Sequence, residues 1–162
     1  MSNTLLKSVV FPLAPFSKST ILNLKRRLGQ SKGATLVGDN VINKLNALVV
    51  EDDLDALEIL TNILEATGII NCETARTGDQ AVEYFKENKP HITFLDIDIP
   101  APNGLETLKI IRESNPKAKV VMVTGSSDIE TVKKAVALGA YGYVVKPFVP
   151  AKILTVLKKL NG

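Results

Sequence analysis

The chain has 162 residues, about one ordinary domain plus a short appendage, and its 45% apolar content excludes a disordered polymer. No apolar run reaches the ~18–20 residues that cross a bilayer, and a single cysteine, Cys72, excludes an internal disulfide or a cysteine metal cluster. The net charge of +3 is uneven: residues 1–45 set seven basic residues against Asp39 alone, a balance of +6, which leaves −3 for the rest.

That break divides the chain into a basic N-terminal extension, residues 1–45, and a domain, residues 46–162. In the extension, Lys7 precedes VVFPLAPF, which Pro12 and Pro15 interrupt and which lacks a small-residue cleavage site; it does not read as a secretory leader. STILNLKRRLG is a candidate short amphipathic helix, with Ile21, Leu24 and Leu28 on one side, Ser19 as cap and Gly29 as stop. Its charge suits an acidic partner, nucleic acid or a membrane surface, but the chain holds no DNA- or RNA-reading module, so nucleic acid is not the expected partner.

From Asn46 the pattern alternates strand and helix. ALVV (47–50) is a short apolar run that stops at Glu51-Asp52-Asp53, with Asp53 either a cap for the next helix or a lesser participant beside the acid pair. In that helix Leu57, Leu60, Ile63 and Leu64 fall at helical spacing and Gly68 is the stop. IINCETA (69–75) reads as a second strand that ends blandly at Ala75-Arg76, as an edge strand would. TGDQAVEYFKENKP reads as a helix of about ten residues that turns Ala81, Val82 and Phe85 inward, with Pro90 beyond its end. HITFLD is a third strand, with His91 at its edge and Asp96 at its end. The turn-rich IPAPNG leads to a third helix, LETLKIIRES, closed by Asn115-Pro116. KVVMVTG (119–125) is a fourth strand, followed by a helix capped at Ser126 or Ser127 and ended near Gly139. YGYVVKP supplies a fifth strand. Pro150 opens a last helix with Ile153, Leu157 and Leu160 on one face.

Five such units predict an α/β fold, a five-stranded parallel sheet with helices on both faces. Ligands in these sheets bind beyond the carboxyl ends of the strands. There the sequence places Glu51, Asp52 and Asp53, then Asp96, then Thr124-Gly125-Ser126, then Lys146-Pro147. Carboxylates with few nitrogens suit a hard divalent cation such as Mg²⁺. Asp96 suits a nucleophile toward a phosphoryl group, Lys146 its counter-charge and Thr124 a hydrogen-bond donor, while Gly125 leaves room.

Four ordered motifs, LVVEDD, FLDIDIPAPNGLE, VVMVTGSS and GAYGYVVKPF, resemble the receiver domain of two-component response regulators (CheY-like) over residues 46–161. The resemblance implies a flavodoxin-like strand order 2-1-3-4-5. It implies that Asp96 is the phosphoacceptor, that Glu51 and Asp52 hold Mg²⁺ with Asp96 and the backbone carbonyl of Asp98, and that Thr124 and Lys146 complete the catalytic set. It further implies that Tyr143 and Thr124 form the switch, and that Pro147 follows a cis bond. A sensor histidine kinase or phosphotransfer protein would donate the phosphoryl group, and the chain would catalyse only its own phosphorylation and dephosphorylation. Output would pass to a downstream protein through the face made by helix four, strand five and helix five, since the sequence ends at Gly162 without an output domain. A homodimer is left open, and the cytoplasm is the expected location. Departures are Pro102, where many members have methionine, and Gly125, where alanine is common. Asp98 and Ser126 fall at positions that tune phosphoaspartate lifetime.

Two rivals are weaker. DIDIP resembles the D-x-D nucleophile of haloacid-dehalogenase phosphatases, but that family places its metal acids after the lysine, and residues 147–162 contain no acid. A phosphorylation-independent receiver adaptor should have lost the acceptor, the metal acids or the lysine; all are present. Cys72 and the lysines at 133, 134, 158 and 159 read as ordinary strand and surface residues.

Overall fold

Alternation within the strands separates the core into two layers. In the computed structural model, which describes residues 45–69, 71–126 and 128–160, β1 (Asn46–Val50), β2 (Asn71–Ala75), β3 (Ile92–Asp96), β4 (Val120–Thr124) and β5 (Gly142–Val145) form one parallel sheet in the order β2-β1-β3-β4-β5. Successive strand side chains point to opposite faces. Ala47, Val49, Ile92, Phe94, Val121 and Val123 therefore meet α1 (Leu54–Ala66) and α5 (Pro150–Lys158), through Leu60, Ile63, Leu64, Ile153, Val156 and Leu157. Leu48, Val50, Leu95, Val120 and Met122 meet α2 (Gly78–Asn88), α3 (Gly104–Ser114) and α4 (Ile129–Ala137), through Ala81, Phe85, Leu108, Ile111 and Ala135. Each large side chain fully buried here contributes roughly 1.5–3 kcal/mol.

Caps set the helix starts. Asp53 accepts from the Ala56 amide at 2.8 Å, and Thr77 from the Gln80 amide at 3.2 Å. Asn103 and Glu106 form a reciprocal capping box. The cap of α4 is Asp128, not Ser126: its carboxylate takes both the Thr131 amide and the Thr131 hydroxyl, two bonds that a serine hydroxyl at 126 is too early in the chain to replace. Ser127 lies outside the described residues. The second strand begins at Asn71 rather than at 69, because Ile69 still bonds back to the Leu64 carbonyl in the turn that follows Gly68, which has φ +100°. The helix predicted at residues 19–28, with the whole extension to residue 44, lies outside the described residues.

Candidate functional site

Register brings the strand-end residues together. Val50 pairs with Leu95, Asp96 with Val123 and Thr124 with Val145. At those pairs or one step beyond them, Glu51, Asp96, Thr124 and Lys146 share the carboxyl end of the sheet. Glu51, Asp96 and Thr124 are buried, at 1%, 2% and 2% exposure.

Lys146 is the hub. Its Nζ donates to Asp96 Oδ2 at 2.8 Å and lies 2.6 Å from Glu51 Oε2. The second contact is an ion pair without hydrogen-bond geometry, so the buried Glu51 Oε2 has no directed donor. The other carboxylate oxygens face backbone: Asp53 N–H donates to Glu51 Oε1, and Asp98 N–H to Asp96 Oδ1, each at 3.2 Å. Burial pushes the Glu51 carboxyl up to about 7; Lys146 opposes the shift and the Asp96 charge adds to it. Burial pulls the Lys146 ammonium down, but its close contacts with the Asp96 and Glu51 carboxylates outweigh that, and its pKa is raised.

Asp52 completes an acidic cluster. Carboxylate oxygens of Glu51, Asp52 and Asp96 lie within 4.8 Å of one another. Three carboxylates facing one ammonium leave excess negative charge, and Glu51 Oε2 lacks a directed donor. An all-oxygen set of this kind fits a hard divalent cation. The Asp98 side chain is exposed and outside this cluster.

The loops around the site are tightly specified. After Asp96, Gly104 N–H bonds to the Ile97 carbonyl at 3.0 Å, and a Cβ on Gly104 would collide with the Asp96 carbonyl. A Cβ on Gly78 would strike Pro102 and Thr107, so glycine there lets α2 close on the loop after β3. The Lys146–Pro147 and Ala101–Pro102 peptides are both cis. Ser126 N–H donates to Thr124 Oγ1 at 3.1 Å, and Tyr143 OH donates to the Ser126 carbonyl at 3.0 Å. This links the strand-end hydroxyl to β5 through one loop. Open space surrounds Gly125, where an added Cβ would meet nothing within 4 Å.

One contact has no signal in the sequence. Arg76, at the bland end of β2, donates from Nη2 to the Asp52 carbonyl at 3.2 Å and so braces the acidic loop from the edge strand. His91 accepts the Asn46 amide through Nδ1 at the opposite end of the sheet, away from the carboxylates.

The model of the response regulator receiver domain family matches residues 47–158. Protein CcdB of Bacillus subtilis is 33% identical over 119 residues, covering 73% of this chain and 99% of that protein. The chemotaxis protein CheY of Thermotoga maritima is 32% identical over 114 residues, covering 70% of this chain and 95% of that protein. Among solved structures, a chain of the CheX-CheY-BeF₃-Mg complex of Borrelia burgdorferi superposes with a TM-score of 0.70 at 30% identity, covering 73% of this chain and 90% of that one. The BeF₃-activated DrrB receiver domain gives 0.65 at 32% identity, covering 72% of this chain and 97% of that one.

Proposed function

Because the chain belongs to the response regulator receiver domain family, we propose that it is a two-component signalling switch that accepts a phosphoryl group on Asp96. The observation that carries this is the Lys146 ammonium bridging Asp96 and Glu51 at the carboxyl end of the sheet. An Asp96 carboxylate oxygen attacks phosphorus in line, the bond from phosphorus to the donor nitrogen breaks, and the donor histidine leaves with a proton. Lys146 then exchanges part of its contact with Asp96 for a phosphoryl oxygen, and Thr124 donates its hydroxyl to another. Glu51, Asp52, Asp96 and the Asp98 carbonyl would hold Mg²⁺, which supplies charge neutralisation at the phosphoryl oxygens. A relative of the same fold is solved with BeF₃ and Mg, which supports that reading.

The donor is a sensor histidine kinase or a phosphotransfer protein. The switch runs from Thr124 through Ser126 to Tyr143, because movement of the Thr124 hydroxyl disturbs the Ser126 amide and with it the carbonyl that Tyr143 holds. Output passes to a protein partner on the α4-β5-α5 face. In support, α4 buries only Ala135 and leaves Ile129 and Val136 exposed one heptad apart. No helix among the described residues is long and apolar enough to cross a membrane.

The test is intact-mass analysis after incubation with a small phosphodonor and Mg²⁺. One hydroxylamine-labile phosphoryl group is expected on the full chain and none on Asp96→Asn. Equal labelling of the variant would reject the assignment.

A further inference from the structure

Charge in the domain is divided along the chain. Glu130 is the last acid, and the 32 residues that follow it carry six lysines and no Asp or Glu. They build one edge of the fold: the body of α4, then β5, which pairs only with β4 among the described residues, then α5.

Helical geometry sorts the side chains of this edge. At about 100° per residue, counted from the buried Ala135, Ile129, Val132 and Val136 fall on one flank of α4, and Lys134 and Leu138 on the other. The right-handed β4-α4-β5 crossover turns the first flank toward the β5 edge and the second toward α3. In agreement, a Cβ on Gly139, next to Leu138, would strike the Arg112 guanidinium of α3. Ile129 and Val136 are 68% and 65% exposed, and Val132 is half-buried. On α5 the side chain that reaches β5 is Val156: a Cβ on Gly142 would lie 3.8 Å from its Cγ1. Lys152 and Lys159, four residues before Val156 and three after it, stand on that same flank, exposed and one heptad apart. Lys158 falls on the opposite flank. Among the described residues Lys152 and Lys159 have no ion pair, whereas Lys133, at the margin of the α4 stripe, pairs with Glu130 at 3.0 Å.

The edge thus sets an aliphatic stripe on α4 beside a row of lysines on α5, with no carboxylate but the paired Glu130. A second copy, docked two-fold through the same edge, would bring lysines to lysines without acids to meet them. Anionic lipid surfaces are held by clusters of roughly 4–8 cations, and two unpaired lysines fall short of that. An amphipathic helix with an acidic flank matches both features, because helices seat apolar side chains at heptad spacing. We infer that this edge takes an acidic amphipathic helix of a partner protein. Its aliphatic side chains lie along Ile129, Val132 and Val136, and its carboxylates, seven residues apart, meet Lys152 and Lys159. The place of this contact in signalling rests on the output role proposed above for the same face.

Fluorescence anisotropy of labelled synthetic helical peptides tests this on the full chain, with a small phosphodonor and Mg²⁺ present. The first peptide carries leucines at i, i+3 and i+7 and glutamates along one flank; the second has lysine for each glutamate, and the third serine for each leucine. Only the first should bind, with roughly micromolar affinity. Lys152→Glu/Lys159→Glu should weaken it about tenfold and bind the lysine peptide instead, a gain that misfolding cannot mimic. Ile129→Ser/Val136→Ser should weaken the first peptide several-fold. Equal binding of the three peptides, no binding of the first at millimolar concentration, affinity unchanged by the lysine reversal, or tighter lysine-dependent binding to phosphatidylserine vesicles or duplex DNA would each overturn the proposal. Intact mass of the same samples keeps the two readings apart. Normal labelling of Asp96 without peptide binding removes the docking alone, and peptide binding without labelling removes the phosphoryl switch alone.

Discussion

Glu51 offers a direct measurement of the electrostatics of the site. Its folded pKa of about 7 stands above the ordinary 4.5. For a carboxyl raised on folding, the folded state holds its proton more tightly than the unfolded state. The stabilisation is therefore complete below about pH 4.5 and is lost as pH rises through about 7. At ~1.4 kcal/mol per unit, that interval corresponds to roughly 3 kcal/mol. Lys146 does not offset this loss, because a raised ammonium pKa contributes stability that disappears only in the alkaline range above its ordinary 10.5. The assay is urea denaturation followed by circular dichroism between pH 5 and pH 8, with chelator present. The wild-type chain should lose stability on the order of 3 kcal/mol across the range, and Glu51→Gln should lose much less. Parallel pH profiles for the two proteins would refute the argument, since the titration would then belong to other groups.

Two further substitutions probe the loops. Gly104→Ala places a methyl group against the Asp96 carbonyl and the Ile97 Cα; it should cost ~2–3 kcal/mol in urea denaturation and slow phosphorylation of Asp96, and wild-type stability would show that the loop gives way freely. Arg76→Ala removes the brace on the Asp52 carbonyl; Mg²⁺ titration should show affinity several-fold weaker with global stability changed by less than ~1 kcal/mol, and unchanged affinity would reduce Arg76 to a surface residue.

The parts legible in the sequence were those fixed by local pattern and chain order. Strand-end acids after apolar runs located Glu51 and Asp96, and the alternation of units put Thr124 and Lys146 at the same end of the sheet. The parts that were not legible depend on choices between near-equal local options or on distant neighbours. Ser126, Ser127 and Asp128 are three consecutive residues able to cap α4, and what selects Asp128 is the pair of hydrogen bonds its carboxylate accepts from Thr131. Gly78 carries no signal of its own in the sequence, because its reason lies in Pro102 and Thr107, two dozen and more residues onward. Arg76 follows an exposed edge strand, and only the fold shows its guanidinium reaching the Asp52 carbonyl.

The same charge imbalance that lowers the stability of the domain also makes its site responsive. Glu51 and Asp96 are buried and share one ammonium, with Asp52 beside them. Protonation of Glu51, a bound cation or a new ligand for Lys146 each changes the energy of that cluster by kcal/mol, because burial amplifies charge interactions. Reversing a two-state equilibrium from 1:99 to 99:1 needs about 5.5 kcal/mol. The element that responds on the proposed reading is sparsely buried: α4 buries only Ala135, whereas α3 buries Gly104, Thr107, Leu108 and Ile111. The loop after β4 links the strand-end Thr124 to β5, through Ser126 to Tyr143, and to the start of α4, through the Asp128 amide that donates to the Ser126 hydroxyl. On the proposed reading, a chemical change at Asp96 reaches the surface through these few bonds to the loop after β4 and the sparsely buried α4.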